Sequence, residues 1–571
     1  MMKILKLYST PQVFTPISFT SGVNIIFGET SFESKKTNGV GKSICIEFIN
    51  FCLLKRYSES RLSKIPSSSF AQDTEVCLDF TIKNKNITIK RTIENQKNPT
   101  MIIDDVVYED YNIDEANKYL SNLMFGTLDY SKAPSFREML GLLARDERSE
   151  FKSIIKYYDT DKNIPENYSP HLYLLGIDTK LYNEIKLIYK EISDLKKIKS
   201  KAKKDIESIT KNTFENASAE LNDLKGQITA IENEINLLEN FEGNSIVRDD
   251  IIKLETEIEC LRSRNKVLKH EFSKISFFDG DNYIDENELE EIYNQFKNGL
   301  GDFIKKDLQE VISFKKKIDL FKNSLFDNKK NSLSKEIKSI ENQLKTLDKE
   351  YKKKLIIIDK HGVLKNLKVT ISAYQAKVEE QSLLAGFMEL YTKADDDMKS
   401  KKIEKTNQTS LFDLLVTDAE PNILSLESQI LKLHKYIMGN EKSSLKVEVK
   451  DKAQIVFYDF RTFEDGGHSI NREQVFLYDV GLLLSPNSQE LHPKLLIHDN
   501  LFHVDQDTLV QSLNYLYENS NLMQDKQYIL TLNRDKLSEK NLEELMFDLD
   551  DYAVASLTKT NKFLGIHYQE I

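Results

Sequence analysis

Hydrophobic and polar positions divide this chain into three zones. From residue 1 to about 175 the apolar residues come in short or alternating runs, "KILKLY", "VNIIFG", "EVCLDFTI" and "NITIKRTI", the pattern of β-strands. Between them "KSICIEFINFCLL" predicts a helix. From about 181 the beat changes. Ile185, Ile188, Ile192 and Leu195 step by three and four, as do Leu221, Leu224, Ile228, Ile231, Ile235 and Leu238, and then Ile251, Leu254, Ile258, Leu261 and Leu268, with Asn265 interrupting. After a loop-like stretch near 276–302 the step returns at Leu333, Ile337, Ile340, Leu344, Leu347 and Tyr351. These are coiled-coil seams. From about 440 strands resume in "SLKVEVK", "AQIVFYDF", "KLLIHDN", "QYILTLN" and "FLGIHY".

A strand-rich zone split by helices predicts one α/β domain assembled from both chain ends and interrupted by a long antiparallel coiled-coil arm. The expected segments are 1–175 and 439–571 for the two halves of that domain, 176–275 for outgoing helices, 276–305 for the arm tip or turn, and 306–438 for returning helices. An outgoing run of about 90 residues reaches at most ~140 Å at the helical rise. Breaks such as "NFEGNS" and "DKHGV" should kink or shorten it. A set of helical bundles folded against the domain is the alternative.

Composition narrows the classes. With 571 residues, 30% charged and 19 glycines, the chain is too long for one compact core and too glycine-poor for several ordinary α/β domains. Net charge is -11, so any nucleic-acid contact would have to be a local patch. The lysine-rich "KKIKSKAKKD" at 196–205 is such a patch or, on the blander reading, a solvated coiled-coil face. The cysteines Cys45, Cys52, Cys77 and Cys260 lack CxxC spacing, which disfavours a disulfide framework or a zinc site and suits a reducing cytoplasm. "MMKILKLYSTPQVF" carries no signal-peptide pattern, and no run of about 18 apolar residues exists, so no membrane association is expected.

The chemistry concentrates in "NGVGKS", Asn38, Gly39, Val40, Gly41, Lys42 and Ser43, placed between a predicted strand and a predicted helix. Two glycines let backbone N–H groups turn around phosphate oxygens, Lys42 neutralises their charge, and Ser43 offers a hydroxyl to Mg²⁺. The full pattern would have glycine at 36, where this chain has Lys36. Gly28 then ends the strand, and "ETSFESKKT" reads as an insertion, either a tolerated surface loop or a sensor presenting Lys35 and Lys36.

A phosphate loop followed by a long coiled-coil insertion resembles the SMC, RecN and double-strand-break-repair branch of the ABC ATPases. Within it, "GVNIIFGE", "TNGVGKS", "FREMLGLLARDER", "FLYDVGLLL", "LLIHDN" and "QYILTLN" resemble a bacterial group with a carboxy-terminal domain of unknown function, found in three-component ABC-type operons of anti-phage defence. The resemblance implies ATP and Mg²⁺ as ligands and an ABC-ATPase head at the two chain ends. It makes Asp499 the Walker B carboxylate, sharing the metal with Ser43. The catalytic glutamate expected next is Asn500, so hydrolysis should be slow unless another carboxylate, such as Asp505 in "HVDQD", substitutes. Ser469 in "GGHSINREQVFLYDV" aligns with the signature serine, Gly466 and Gly467 with its approach, and the helix from about Arg472 with the N-terminus aimed at phosphate. The order differs from S-G-G-[EQ], and a turn ahead of a core helix fits as well. Asn533 stands where the switch histidine belongs, and Arg145 or Asp146 where the Q-loop glutamine belongs.

Three further patterns are weighed. "DGDNYIDENELEEI" fails as an EF-hand, because Phe277 would hold the first loop position and Asn282 the glycine position. No CxxC lies near that tip, so a zinc hook cannot form. His498 alternates with Asp499 across the strand, which assigns it to packing ahead of a His/Asp/His metal group with His503. Three functions then compete: an ATP-dependent sensor or scaffold with slow turnover, a DNA-repair ATPase acting on DNA ends, and a structural coiled-coil protein with a degenerate head. A homodimer through the heads, companion operon proteins and double-stranded DNA are the expected partners.

Overall fold

The computed structural model describes residues 1–30, 39–66, 69–70, 73–94, 96–109, 111–126, 132–161, 164–239, 245–280, 330–354, 363–462, 468–502 and 506–565. The chain divides into two units, the first Met1–Lys190 with Lys402–Ile571 and the second Glu191–Lys401. The first unit therefore joins the two ends of the chain, an α/β head built from both.

Two sheets organise the head. In the antiparallel one, β1 (Met2–Thr10) lies between β2 (Ile17–Ser18) and β4 (Glu75–Ile82), and β5 (Lys85–Thr92), β6 (Thr100–Ile103) and β7 (Val106–Tyr108) follow in order. Its alternation is that of a half-buried sheet: Val76, Leu78 and Phe80 face the core while Asp79 pairs outward with Thr88. The second sheet is wholly parallel, with order β13 (Ala553–Leu557), β3 (Gly22–Gly28), β12 (Gln527–Asn533), β11 (Leu495–His498), β8 (Ala144–Arg145). Strands β3 and β8 come from the first part of the chain and β11, β12 and β13 from the last. Every residue of β11 and β12 is buried, as expected of strands covered on both faces.

Helix α1 (Lys42–Cys52) follows the glycine loop and packs between the sheets, with Ile46, Phe48, Ile49 and Phe51 inaccessible. Each such side chain stabilises by ~1.5–3 kcal/mol. Helices α2 (Ile113–Phe125) and α3 (Phe136–Leu143) begin with capping boxes from Asn112 with Glu115 and Ser135 with Glu138. Helix α4 (Ser169–Leu174) precedes α5 (Thr179–Thr210). On the return, α10 (Glu420–Met438) packs against α11 (His468–Leu484), and Gly481 leaves room for Ile430, whose Cγ1 a β-carbon would approach to 2.9 Å. The hairpin β9 (Ser443–Val449) and β10 (Val456–Thr462) precedes α11, and in chain order α12 (Gln506–Glu518) and α13 (Ser520–Met523) precede β12 and α14 (Glu539–Glu543) follows it.

The second unit is helical. Helix α5 continues into it, followed by α6 (Ala217–Glu239), α7 (Ser245–Gly280), α8 (330–354) and α9 (Val363–Asp418), which returns to the head unit. Lys199 meets Asp395 at 2.5 Å, Leu224 packs with Leu384, and Tyr374 donates to Glu232 at 2.9 Å, so α5 and α6 run antiparallel to α9. Along α7 and α8, Asp250 pairs with Lys354 at 2.5 Å, Arg262 with Asp348 at 3.1 Å and Lys269 with Glu341 at 2.8 Å, a second antiparallel pair. Arg262 also reaches Gln375, and Lys266 pairs with Glu379, so α7 runs in the same direction as the start of α9. The helical run therefore reverses between α6 and α7 and again between α8 and α9. The "NFEGNS" and "DKHGV" segments, apart from Ser245 and Val363, lie outside the described residues. The stretch near 276–302, with the EF-hand-like segment, lies outside the described residues from 281 onward.

One strand expectation fails. "FLGIHY" is not a strand over its described part, residues 563–565. Phe563 instead stacks on Phe14 with ring centroids 4.5 Å apart, and its N–H donates to the Val40 carbonyl at 3.0 Å. The terminal strand is "AVASL", whose mixed small and apolar residues carry a weaker pattern.

Candidate functional site

In a parallel sheet with helices on both faces, ligands sit at the carboxyl ends of the strands. Here the ends of β3, β12, β11 and β8 bring together Lys42 and Ser43, Asn533, Asp499 with Asn500, and Glu147. These positions come from opposite ends of the chain and share one sheet edge.

The phosphate loop is described from Gly39. Gly39 (φ 70) and Gly41 (φ 103) are left-handed, a conformation that glycine adopts freely. Gly41 is also the N-cap of α1, and a β-carbon there would lie 2.7 Å from Cβ of Phe563. Val40 is buried. Lys42 is 7% exposed, and its Nζ donates to Oδ1 of Asn533. Burial lowers the Lys42 pKa, while Asp499, Asp535 and Glu147 work to raise it and Lys559 to lower it further. Gly28 ends β3 as expected. Asn38, Lys35 and Lys36 lie outside the described residues.

Asp499 is buried, receives a hydrogen bond from Thr531 Oγ1 at 2.9 Å, and is also bonded to Ser43. Burial pushes its carboxyl up to about 6; the Ser43 and Thr531 hydrogen bonds oppose that rise, and the charges of Glu147 and Asp146 add to it. An all-oxygen set of Ser43 hydroxyl and Asp499 carboxylate, poor in compensating positive charge, fits a hard divalent cation such as Mg²⁺. Asn500 has φ 63, a left-handed conformation in which asparagine is enriched. Its N–H donates to Thr531 Oγ1 at 2.8 Å, its carbonyl accepts from Arg472 Nη1 at 2.8 Å, and its side-chain Nδ2 donates to Glu147 Oε1 at 3.0 Å.

The residues expected in the Q-loop place turn away from this edge. Arg145 is fully buried and forms a forked pair with Asp479, Nε to Oδ2 at 2.5 Å and Nη2 to Oδ1 at 2.9 Å. Asp146 pairs with Lys55 at 2.7 Å and Arg148 at 2.7 Å. The residue that faces the edge is Glu147, which sequence reasoning passed over. The run "ARDER" marks a charged turn after an apolar segment, but it does not say which of its charges faces the pocket. Lys559 was missed for a similar reason: it lies in the final segment, and its Nζ stands 3.1 Å from where a β-carbon on Gly39 would be.

His498 packs as expected. Its Nε2 bonds Asp479 Oδ2 at 2.9 Å and its Nδ1 bonds Tyr528 Oη at 2.9 Å. No group of metal ligands formed by His, Cys, Asp and Glu occurs among the described residues, and His503 lies outside them. Cys45, Cys52 and Cys77 are buried free thiols and Cys260 an exposed one. The signature assignment is not reached: Gly466 and Gly467 lie outside the described residues, as does Asp505, and Ser469 is placed in α11 without its side-chain surroundings. That helix begins at His468, four residues ahead of the expected Arg472. Arg472 instead bolts the segment after β11, through the carbonyls of Asn500 and Leu501 at 2.8 and 3.1 Å. No described helix is long and apolar enough to cross a membrane.

Residues 8–241 match the family described as AAA domain, and residues 431–568 the family described as Uncharacterised protein conserved in bacteria (DUF2326). The protein YydD of Bacillus subtilis (strain 168) is 22% identical over 619 aligned residues, covering 99% of each chain. Among solved structures, the Smc head domain with a coiled coil and joint from Pyrococcus yayanosii covers 100% of this chain and 97% of its own at 13% identity, with a TM-score of 0.35. The Pyrococcus furiosus Smc head domain with an extended coiled coil, bound to the C-terminal domain of ScpA, gives 11% identity, 100% and 96% coverage and a TM-score of 0.35. The phosphate loop and the parallel strand order agree with the AAA-domain match, and the segment that holds Asp499 and Asn533 falls within the DUF2326 match.

Proposed function

We propose that this protein is an ATP-binding SMC-like sensor or scaffold of anti-phage defence, whose heads dimerise around ATP and Mg²⁺ and hydrolyse it slowly. The observation that carries the reading is the convergence of Lys42, Ser43, Asp499 and Asn533 on one edge of a sheet made from both chain ends. Gly39 to Ser43 would hold the triphosphate, Lys42 with Asn533 beside it would meet its charge, and Ser43 and Asp499 would hold a Mg²⁺ that supplies charge neutralisation. Ser469 of a second copy faces the γ-phosphate. Asn500, an amide after the Walker B carboxylate, supports slow turnover, because it holds a water without accepting its proton.

On this reading the helical unit, residues 191–401, is the part that engages a companion protein or double-stranded DNA when the heads close. The defence role rests on the resemblance of the motif set and predicts loss of phage protection in cells carrying the pocket variant. The direct test is Lys42→Ala. ATP with Mg²⁺ at 100 times its Kd should stabilise the wild-type chain by ~2.7 kcal/mol. Lys42→Ala should weaken binding by ~10–100-fold, the equivalent of one charge-assisted hydrogen bond, and remove between about half and most of that shift in a thermal melt. Equal shifts for the two proteins would refute the assignment.

A further inference from the structure

The carboxylate missing from position 500 is present across a hydrogen bond. Glu147 Oε1 accepts from Asn500 Nδ2 at 3.0 Å, and its Oε2 stands 3.8 Å from Arg61 Nη1. The side chain is 48% exposed, open to a ligand at the strand ends, and its charge is felt by Lys42, Asp499 and Arg472.

Its neighbours hold it there. Asp146 is clamped by Lys55 and Arg148, both at 2.7 Å, and Arg148 also bonds Glu47 at 2.7 Å and the Glu59 carbonyl at 2.8 Å. The Asp146 carbonyl accepts from Ser149 Oγ at 2.8 Å. A short turn pinned on both sides thus projects one carboxylate. Opposite it, Asn500 is fixed by Thr531 and Arg472. A glutamate at 500 would set two carboxylates against each other, whereas the amide donates a hydrogen bond to Glu147.

We propose that Glu147, gripped by Asn500, is the carboxylate that orients the attacking water and takes its proton when this chain hydrolyses ATP. The inference rests on the ATP-binding reading above. In the step, the water oxygen bonds to the γ-phosphorus and the bond from that phosphorus to the β–γ bridging oxygen breaks, its electron pair leaving with ADP. The water proton passes to Glu147 and then to solvent, and the products are ADP and inorganic phosphate. Asn500 is a positioning residue: it aims the acceptor and does not receive the proton.

The test compares wild type, Glu147→Gln, Glu147→Asp and Glu147→Gln/Asn500→Glu for fluorescent-ATP affinity, single-turnover phosphate release, and the chemical state of bound nucleotide after acid quench. Glu147→Gln should bind ATP within about threefold of wild type while phosphate release falls ~100-fold or more, the usual contribution of a general base. Its bound nucleotide should remain ATP after the wild type has converted it to ADP. The double variant reverses the amide and carboxylate and should regain at least tenfold over Glu147→Gln; Glu147→Asp should fall between wild type and Glu147→Gln. Release by Glu147→Gln within threefold of wild type overturns the proposal, and so does a wild-type chain that binds ATP but releases phosphate no faster than Glu147→Gln. Neither result touches the binding reading. A wild-type chain that binds no ATP overturns both.

Discussion

At the scale of single residues, burial decides which charges are structural and which are available. Glu473, on the buried side of α11, is 7% exposed, and its Oε1 finds no hydrogen-bond partner among the described residues. Burial pushes its carboxyl up to about 7. The folded chain thus holds this proton more tightly than the unfolded chain, whose glutamate titrates near 4.3. Its ionisation costs the fold nothing below the unfolded value, and stability is lost as pH rises from about 4.3 through about 7. Glu473→Gln removes the titration. Its melting temperature relative to wild type should therefore climb between pH 5 and pH 8, by the equivalent of about 2 kcal/mol. A difference that stays flat with pH would show that Glu473 keeps its charge at no cost.

At the scale of elements, one buried network ties together three of the segments that build the pocket. Arg145 at the end of β8 forks onto Asp479 of α11, and Asp479 also bonds His498 of β11. Burial disfavours the Asp479 charge, yet Arg145 and His498 hold the carboxyl below its ordinary range. The ends of β8 and β11 carry Glu147 and Asp499, so this network sets the spacing of the proposed site without facing it. Arg145→Met leaves a buried carboxylate without its cation and should cost ~3–5 kcal/mol in denaturant unfolding. Removing both charges, in Arg145→Met/Asp479→Leu, should cost less than the single change. The position of Arg145 also explains why the charged run "ARDER" misled: a cation after an apolar strand reads as pocket-facing, and only packing shows it satisfied inside.

At the scale of the whole molecule, the head unit owns both sheets, the phosphate loop and the Asp499 strand, while residues 191–401 contribute none of them. At the junction Glu191 and Lys401 pair at 2.9 Å, so a short glycine-serine bridge can replace everything between. A chain joining Lys190 to Lys402 this way should fold cooperatively and bind ATP within about threefold of the full chain, a factor worth ~0.7 kcal/mol. Circular dichroism melts and nucleotide titration check both halves of that expectation. A bridged head that fails to fold would show that the helices are needed to close it.

Much of this was legible from the amino-acid pattern, because the forces involved are local. Short apolar and alternating runs named the strands, the three-four beat named the helices, and "NGVGKS" between strand and helix named the phosphate loop, since glycine freedom and lysine charge act within a few residues. The left-handed Gly39 and Gly41 and the strand-ending Gly28 follow from such short-range sterics. What only the tertiary structure decided was contact between distant positions: that β12 lies between β3 and β11 and sets Asn533 against Lys42, that α7 doubles back beside α9, that Phe563 covers the phosphate loop instead of extending a strand, and that of four consecutive charges at 145–148 it is Glu147 that meets Asn500. Desolvation and pairing across hundreds of residues fix these choices, and neither leaves a period in the chain.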